Sequence, residues 1–117
     1  MSDECNRSLT DAERQLARWM LEHGALDAKQ YLVQLESAEV TPWRCQCGCA
    51  SIQFQIQGHA KAPPGAHVLG DFLMGEGDDQ SGAFIYSSAG LLSGIEVYGL
   101  AGDAPRVLPQ PEDLRAF

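Results

Sequence analysis

The chain has 117 residues, 44% apolar and 21% charged, a balance that suits one globular domain with its own core. Sixteen acidic side chains against eight basic ones give a formal charge of −8. The basic residues are also scattered, which argues against nucleic acid as a ligand. No apolar run approaches the roughly 18 residues that a membrane span needs.

The start, Met1-Ser2-Asp3-Glu4-Cys5, is acidic and polar, unlike a secretory signal, so a cytoplasmic location is expected. Thiols stay reduced there. The four cysteines are therefore expected to be metal ligands, redox groups or small packed residues rather than a structural disulfide.

Residues 1–8 read as a flexible tail. Thr10-Asp11-Ala12-Glu13 has the form of a capping box, and Leu16, Trp19, Met20 and His23 follow at helical spacing. His23 falls at the carbonyl end of this helix, and Gly24 is its stop. A second helix is expected from Asp27, with Gln30 in the partner position of another capping box and Ala28, Tyr31, Leu32 and Leu35 as its apolar stripe. Thr41-Pro42 breaks the helical pattern.

Beyond the break the period changes from helix to strand. Ile52, Phe54 and Ile56 alternate with Gln53, Gln55 and Gln57, a strand with one apolar and one neutral polar face. Ala62-Pro63-Pro64-Gly65 reads as a loop, and residues 66–74 as a second strand that is apolar on both parities. An acidic loop at Glu76, Asp78 and Asp79 leads to strands at 83–87 and 91–98, joined by a turn at Ser88-Ala89-Gly90. A proline-rich end carries a helical turn near Glu112. The whole reads as a single α+β domain over 1–117. Two N-terminal helices would pack on one face of a roughly four-stranded antiparallel meander sheet.

Cys45-Gln46-Cys47-Gly48-Cys49 is the cluster with metal-like chemistry. Its cysteines have the opposite parity to Ile52, Phe54 and Ile56, so the register must shift between Cys47 and Ser51. Gly48 is the residue best able to turn the chain there. Zinc accepts three thiolates and one imidazole, and His59 or His67 could supply the imidazole. In a regular strand, side chains two residues apart stand about 6.7 Å from one another, so the site needs Gly48 to fold Cys47 and Cys49 together. Thiol redox chemistry at the same cysteines is the other reactive possibility. The acidic loop lacks the ligand spacing of an EF-hand. A phosphate-binding loop and a nucleophile elbow are both absent, so an enzyme is the weaker class.

Leu9-Thr10-Asp11-Ala12-Glu13, the Cys45–Cys49 stretch, Leu92-Ser93-Gly94-Ile95-Glu96-Val97-Tyr98 and Leu108-Pro109-Gln110-Pro111 together carry a resemblance. The chain resembles a family of small uncharacterised bacterial proteins with a Cys-x-Cys-Gly-Cys stretch and an apolar-Glu-Val-Tyr strand. The resemblance implies a bacterial cytosolic origin and brings no activity with it. By analogy with other small acidic families it suggests an immunity-like or interaction role.

The expected function is therefore action through a protein–protein interface, with a partner or a second copy of the chain. Metal or thiol chemistry at Cys45, Cys47, Cys49 and His59 is the alternative, with zinc as its cofactor. The interface would use the sheet face away from the helices, which carries Gln53, Gln55, Glu96 and Tyr98. One apolar parity of residues 66–74 would add to it, because one helical layer cannot cover both.

Overall fold

The structure, a computed structural model, describes residues 5–116. Seven antiparallel strands form one sheet: β1 (Arg7–Ser8), β2 (Ala38–Val40), β3 (Ile52–Ile56), β4 (His67–Met74), β5 (Ser81–Ser88), β6 (Leu91–Gly99) and β7 (Arg115–Ala116). Two helices precede the long strands, α1 (Asp11–Glu22) and the short α2 (Leu32–Leu35). The fold is α+β. No helix among the described residues is long and apolar enough to cross a membrane.

The strand order is β1-β2-β3-β6-β5-β4-β7. This corrects the four-stranded meander in two ways. β4, β5 and β6 do form a meander, but the connection after β3 crosses to the far side, and β6 returns to pair with β3 through Ile52 and Ile95. That is a Greek-key arrangement. Strands β1, β2 and β7 are two or three residues long, too short to show any alternation. Two-residue edges also leave little backbone open to unwanted strand pairing.

Local sequence explains most elements. Thr10 caps α1 by accepting from the Glu13 N–H at 3.1 Å, and the Glu13 carboxylate accepts from the Thr10 N–H at 2.9 Å. Arg7 adds a fork of two bonds to the same carboxylate, at 2.8 and 2.9 Å. Residues 7 and 8 are thus an edge strand tied to a helix cap and not part of a loose tail; residues 1–4 lie outside the described residues. The second expected capping box does not form. Asp27 makes no side-chain cap bond and instead accepts from the His67 ring at 2.8 Å, while Ala28–Tyr31 is a single 3₁₀ turn. The β5–β6 turn places Ala89 and Gly90 at positive φ, the form that matches strand twist in two-residue hairpins.

Buried side chains form one continuous cluster. Leu16, Met20 and Leu21 of α1 and Leu35 of α2 belong to it, as do Phe54, Ile56, Ile85, Leu92, Ile95 and Val97 of the sheet. α1 touches β4 and β5, and α2 touches β6. Strand β4 avoids the predicted excess of apolar faces with a bulge between Val68 and Gly70. The extra residue moves Leu69 onto the same side as Phe72 and Met74, and all three are buried. Only Val68 and the half-buried Leu73 remain for the other face.

Gly24 shows how tightly α1 meets this bulge. The Ala25 N–H donates to the Leu69 carbonyl at 2.7 Å, and a Cβ on Gly24 would run into that carbonyl oxygen. Backbone on both sides cannot yield as a side chain end can. Gly24→Ala should therefore destabilise the fold by about 1–3 kcal/mol, as overpacking does. Urea unfolding would measure it, and an unchanged midpoint would mean that α1 is not seated on the bulge.

Candidate metal centre

The cysteine stretch is the loop between β2 and β3. The Thr41 N–H donates to the Gln53 carbonyl at 2.9 Å, after which the chain leaves the sheet. The Gly48 N–H then donates to the Cys45 carbonyl at 3.1 Å, closing a four-residue turn, and Gly48 has φ of 84°. This is the register shift that the change of parity required, made by the one residue type without a Cβ. The exit is pinned twice. The Ala50 N–H donates to the Pro105 carbonyl at 2.9 Å, and the Val97 N–H donates to the Ser51 hydroxyl at 3.0 Å.

The turn gathers the sulfurs. Cys45, Cys47 and Cys49 have Sγ atoms that all lie within 4.8 Å of one another. Cys45 and Cys47 are 2.8 Å apart, and the Cys49 N–H donates to Cys47 Sγ at 3.3 Å. Tetrahedral zinc with bonds of about 2.3 Å spaces its sulfurs about 3.8 Å apart, so small shifts of the side chains meet that geometry. The cluster is at the surface: Cys47 is exposed, and Cys45 and Cys49 are half-buried.

Crowding separates the thiols electrostatically. The hydrogen bond to Cys45, with a second to Cys49, pushes the Cys47 thiol up to about 11. For Cys49, burial acts to raise the value, but bonds from Ser51, Cys47 and Cys45 outweigh it and bring the thiol to about 7. Ser51 Oγ lies 3.2 Å from Cys49 Sγ. The Cys49 thiol donates to that oxygen, and once the thiol ionises the Ser51 hydroxyl can turn its own proton to the thiolate. Three sulfurs this close cannot all ionise without a cation among them. A metal ion is the natural replacement for the shared protons.

The cluster forms one wall of an open cleft of about 520 Å³, which Arg44, Arg106, Glu13 and Leu108 also line. A Cβ on Gly48 would stand 2.8 Å from Arg106 Nη1, so this guanidinium lies against the cysteine turn. Glu13, the acid in the cleft wall, is already neutralised by Arg7. Among the described residues neither Arg44 nor Arg106 joins an ion pair. In a chain of net −8 this is a local positive corner.

The histidines lie elsewhere. His59 is excluded from the sulfur group because the five extended residues of β3 separate it from the cysteines, so it stands at the opposite end of that strand. His67 is paired with Asp27, and His23 caps α1, stacking on Trp19 at 4.2 Å. Sequence reasoning missed Ser51, Arg44 and Arg106. Ser51 shares the cysteines' parity, which was a usable signal, whereas nothing local marks Arg106, which comes from the far end of the chain.

Gln53, Gln55, Glu96 and Tyr98 do share the other face of the sheet, with Phe84 and Tyr86. Glu96 is exposed and the rest are half-buried. Tyr98 is more engaged than an open hot spot would be. Its ring covers Gly82, its hydroxyl donates to Asp71 at 2.7 Å, and burial together with that carboxylate raises its ionisation. The proline-rich end does not cover this face. Leu108 and Leu114 pack against the core cluster instead.

No protein-family model, curated protein or solved structure matches the chain.

The metal-free protein should react first at Cys49. A thiolate attacks where a thiol does not, so alkylation by iodoacetamide should rise with pH around a midpoint of about 7. Cys49→Ser should remove that step. A rate that climbs only near the ordinary thiol value of 9.0 would show that Ser51 does not act on Cys49.

Proposed function

We propose that this protein binds a thiophilic metal ion, zinc in the first place, through Cys45, Cys47 and Cys49. The observation that carries the reading is the grouping of the three sulfurs within 4.8 Å by the turn at Gly48. Soft thiolates select zinc or copper(I) over the hard cations, and a carboxylate-poor site of this kind has no use for calcium or magnesium. Three ligands on a surface loop, of which only Cys49 packs against the core cluster, fit an ion that is carried and exchanged. They do not fit one on which the fold depends.

Zinc content and a competition titration against a chromophoric chelator test the reading in reduced protein. We expect one ion per chain, and a Cys47→Ser variant weakened by roughly 10–100-fold or more. Removing the ion should leave the far-ultraviolet circular dichroism of the sheet unchanged. Wild-type protein that binds no tighter than Cys47→Ser would retire the metal reading.

A second reading is supported by the sheet face that carries Gln53, Gln55, Glu96 and Tyr98, which the loop at 61–65 meets at its Gln53–Tyr86 end. With both helices and the proline-rich end on one side, Phe84, Tyr86 and Tyr98 stay half-exposed between Gln53, Gln55 and Glu96. Glutamine amides donate and accept equally, so such a face is complementary to itself across a two-fold axis. We expect a homodimer by sedimentation, dispersed by changing both Gln53 and Gln55 to Glu. A wild type that stays monomeric up to about millimolar concentration rejects this reading.

A further inference from the structure

We propose that Cys45 and Cys47 form a reversible disulfide on meeting a small anionic disulfide of the oxidised-glutathione class, and that this bond expels the metal ion. The disulfide step stands on the sulfur geometry alone. The expulsion rests on the metal reading above, so the two can fail separately.

Residues two apart in a regular strand cannot be bridged, because their side chains stand about 6.7 Å from one another. The turn removes that obstacle. Cys45 and Cys47 are the first and third residues of the turn that the Gly48 N–H closes, and such a turn holds even its first and fourth Cα atoms within about 7 Å. Their Sγ atoms are 2.8 Å apart. A disulfide bond is about 2.05 Å long, so under about 1 Å remains to be closed. Cys49 is the sulfur left over. Its thiol donates to Ser51 Oγ at 3.2 Å, its side chain packs against the core cluster, and the bonds at Ala50 and Ser51 pin the backbone just beyond it.

The step is thiol–disulfide exchange and needs no other reagent. A thiolate of the cluster attacks one sulfur of the small disulfide, forming a mixed disulfide and releasing the first small thiol. A neighbouring thiolate then attacks the protein sulfur of that adduct and releases the second. In sum, two protein thiols give up two protons and two electrons, and one small disulfide becomes two small thiols. All three sulfurs lie within 4.8 Å, so a bond formed first at Cys49 passes by the same exchange to the nearest pair. In the loaded protein the two electrons come from two of the metal-bound thiolates. The thiolate is the form of cysteine that holds a metal, so a disulfide between two of the three ligands leaves Cys49 alone to hold the ion.

Exposure and charge select the reagent. Cys47 is exposed, so a small molecule reaches it directly. Arg44 and Arg106 line the cleft beside the turn and, among the described residues, join no ion pair. A disulfide that carries carboxylates is drawn to this corner, and one that carries ammonium groups is repelled from it. The ion is therefore held under reducing conditions and released under oxidising ones.

The test mixes reduced, metal-free protein with one equivalent of oxidised glutathione. The intact mass should fall by two hydrogen atoms, and tandem mass spectrometry should place the link between Cys45 and Cys47, with Cys49 still open to iodoacetamide. Cys49→Ser should lose the same two hydrogens. Cystamine, a cationic disulfide, should react about tenfold more slowly, and Arg106→Gln should narrow that gap. Zinc-loaded protein should yield its ion to a chromophoric chelator as the bond forms and rebind it after reduction. A link between any other pair, a lasting glutathione adduct at Cys45 or Cys47, or equal rates with the two reagents overturns the inference. So does zinc retained by the disulfide-bonded protein. A wild type that binds no zinc yet forms the bond retires the metal reading, and the expulsion with it, and upholds the disulfide.

Discussion

The pairing of β3 with β6 is the constraint on which the site depends. Ile52 lies opposite Ile95, and one residue earlier Ser51 accepts from the Val97 N–H. The chain thus enters the sheet at a fixed point, with its register anchored by two buried partners. Everything just before that point must turn in the short space between β2 and β3. The Cys45–Gly48 turn is the solution, and the Pro105 carbonyl that accepts from Ala50 closes it from the outside. Ser51 belongs to both systems, since its oxygen accepts from the Val97 N–H of β6 and from the Cys49 thiol. The geometry of the sulfurs is therefore inherited from the sheet and does not depend on a flexible loop finding it.

That rigidity gives the cluster its chemistry. Isolated thiols would titrate alike, but here one ionises near neutral pH while its neighbour is held protonated to about 11. The difference arises from proximity: a proton shared among sulfurs favours one thiolate and opposes a second. A cation of higher charge relieves the same repulsion at all three positions, which is why preorganised thiols are worth more to a metal than to a proton. The two guanidiniums work in the same direction. Arg106 comes from the proline-rich end and lies on the Gly48 turn, so both ends of the chain contribute to one small region.

The sequence showed those elements whose signal is local. Thr10 and Glu13 sit three apart and form the capping box that this spacing predicts. Ile52, Phe54 and Ile56 alternate, and Gly48 turns where the parity changes. What stayed hidden depends on distant register. Strands of two or three residues carry no period, so β1, β2 and β7 could not be seen. The bulge in β4 reversed which residues of that strand share a face, and no residue between Val68 and Gly70 announces it. His59 looked like a ligand because it is near the cysteines in sequence; an extended strand makes near in sequence far in space.

The Arg7–Glu13 pair joins these strands to the helix, and its electrostatics follow from its surroundings. The fork from Arg7, more than any other contact, holds the Glu13 carboxyl below its ordinary value; burial opposes this and the Thr10 cap adds to it. A carboxylate with a lowered folded-state value stabilises the fold above its unfolded value and loses that contribution as pH falls through the lowered one. At neutral pH the pair is therefore fully formed, and β1 is locked to the first turn of α1. One ion pair at a helix cap thus joins the edge of the sheet to the helix that packs on it.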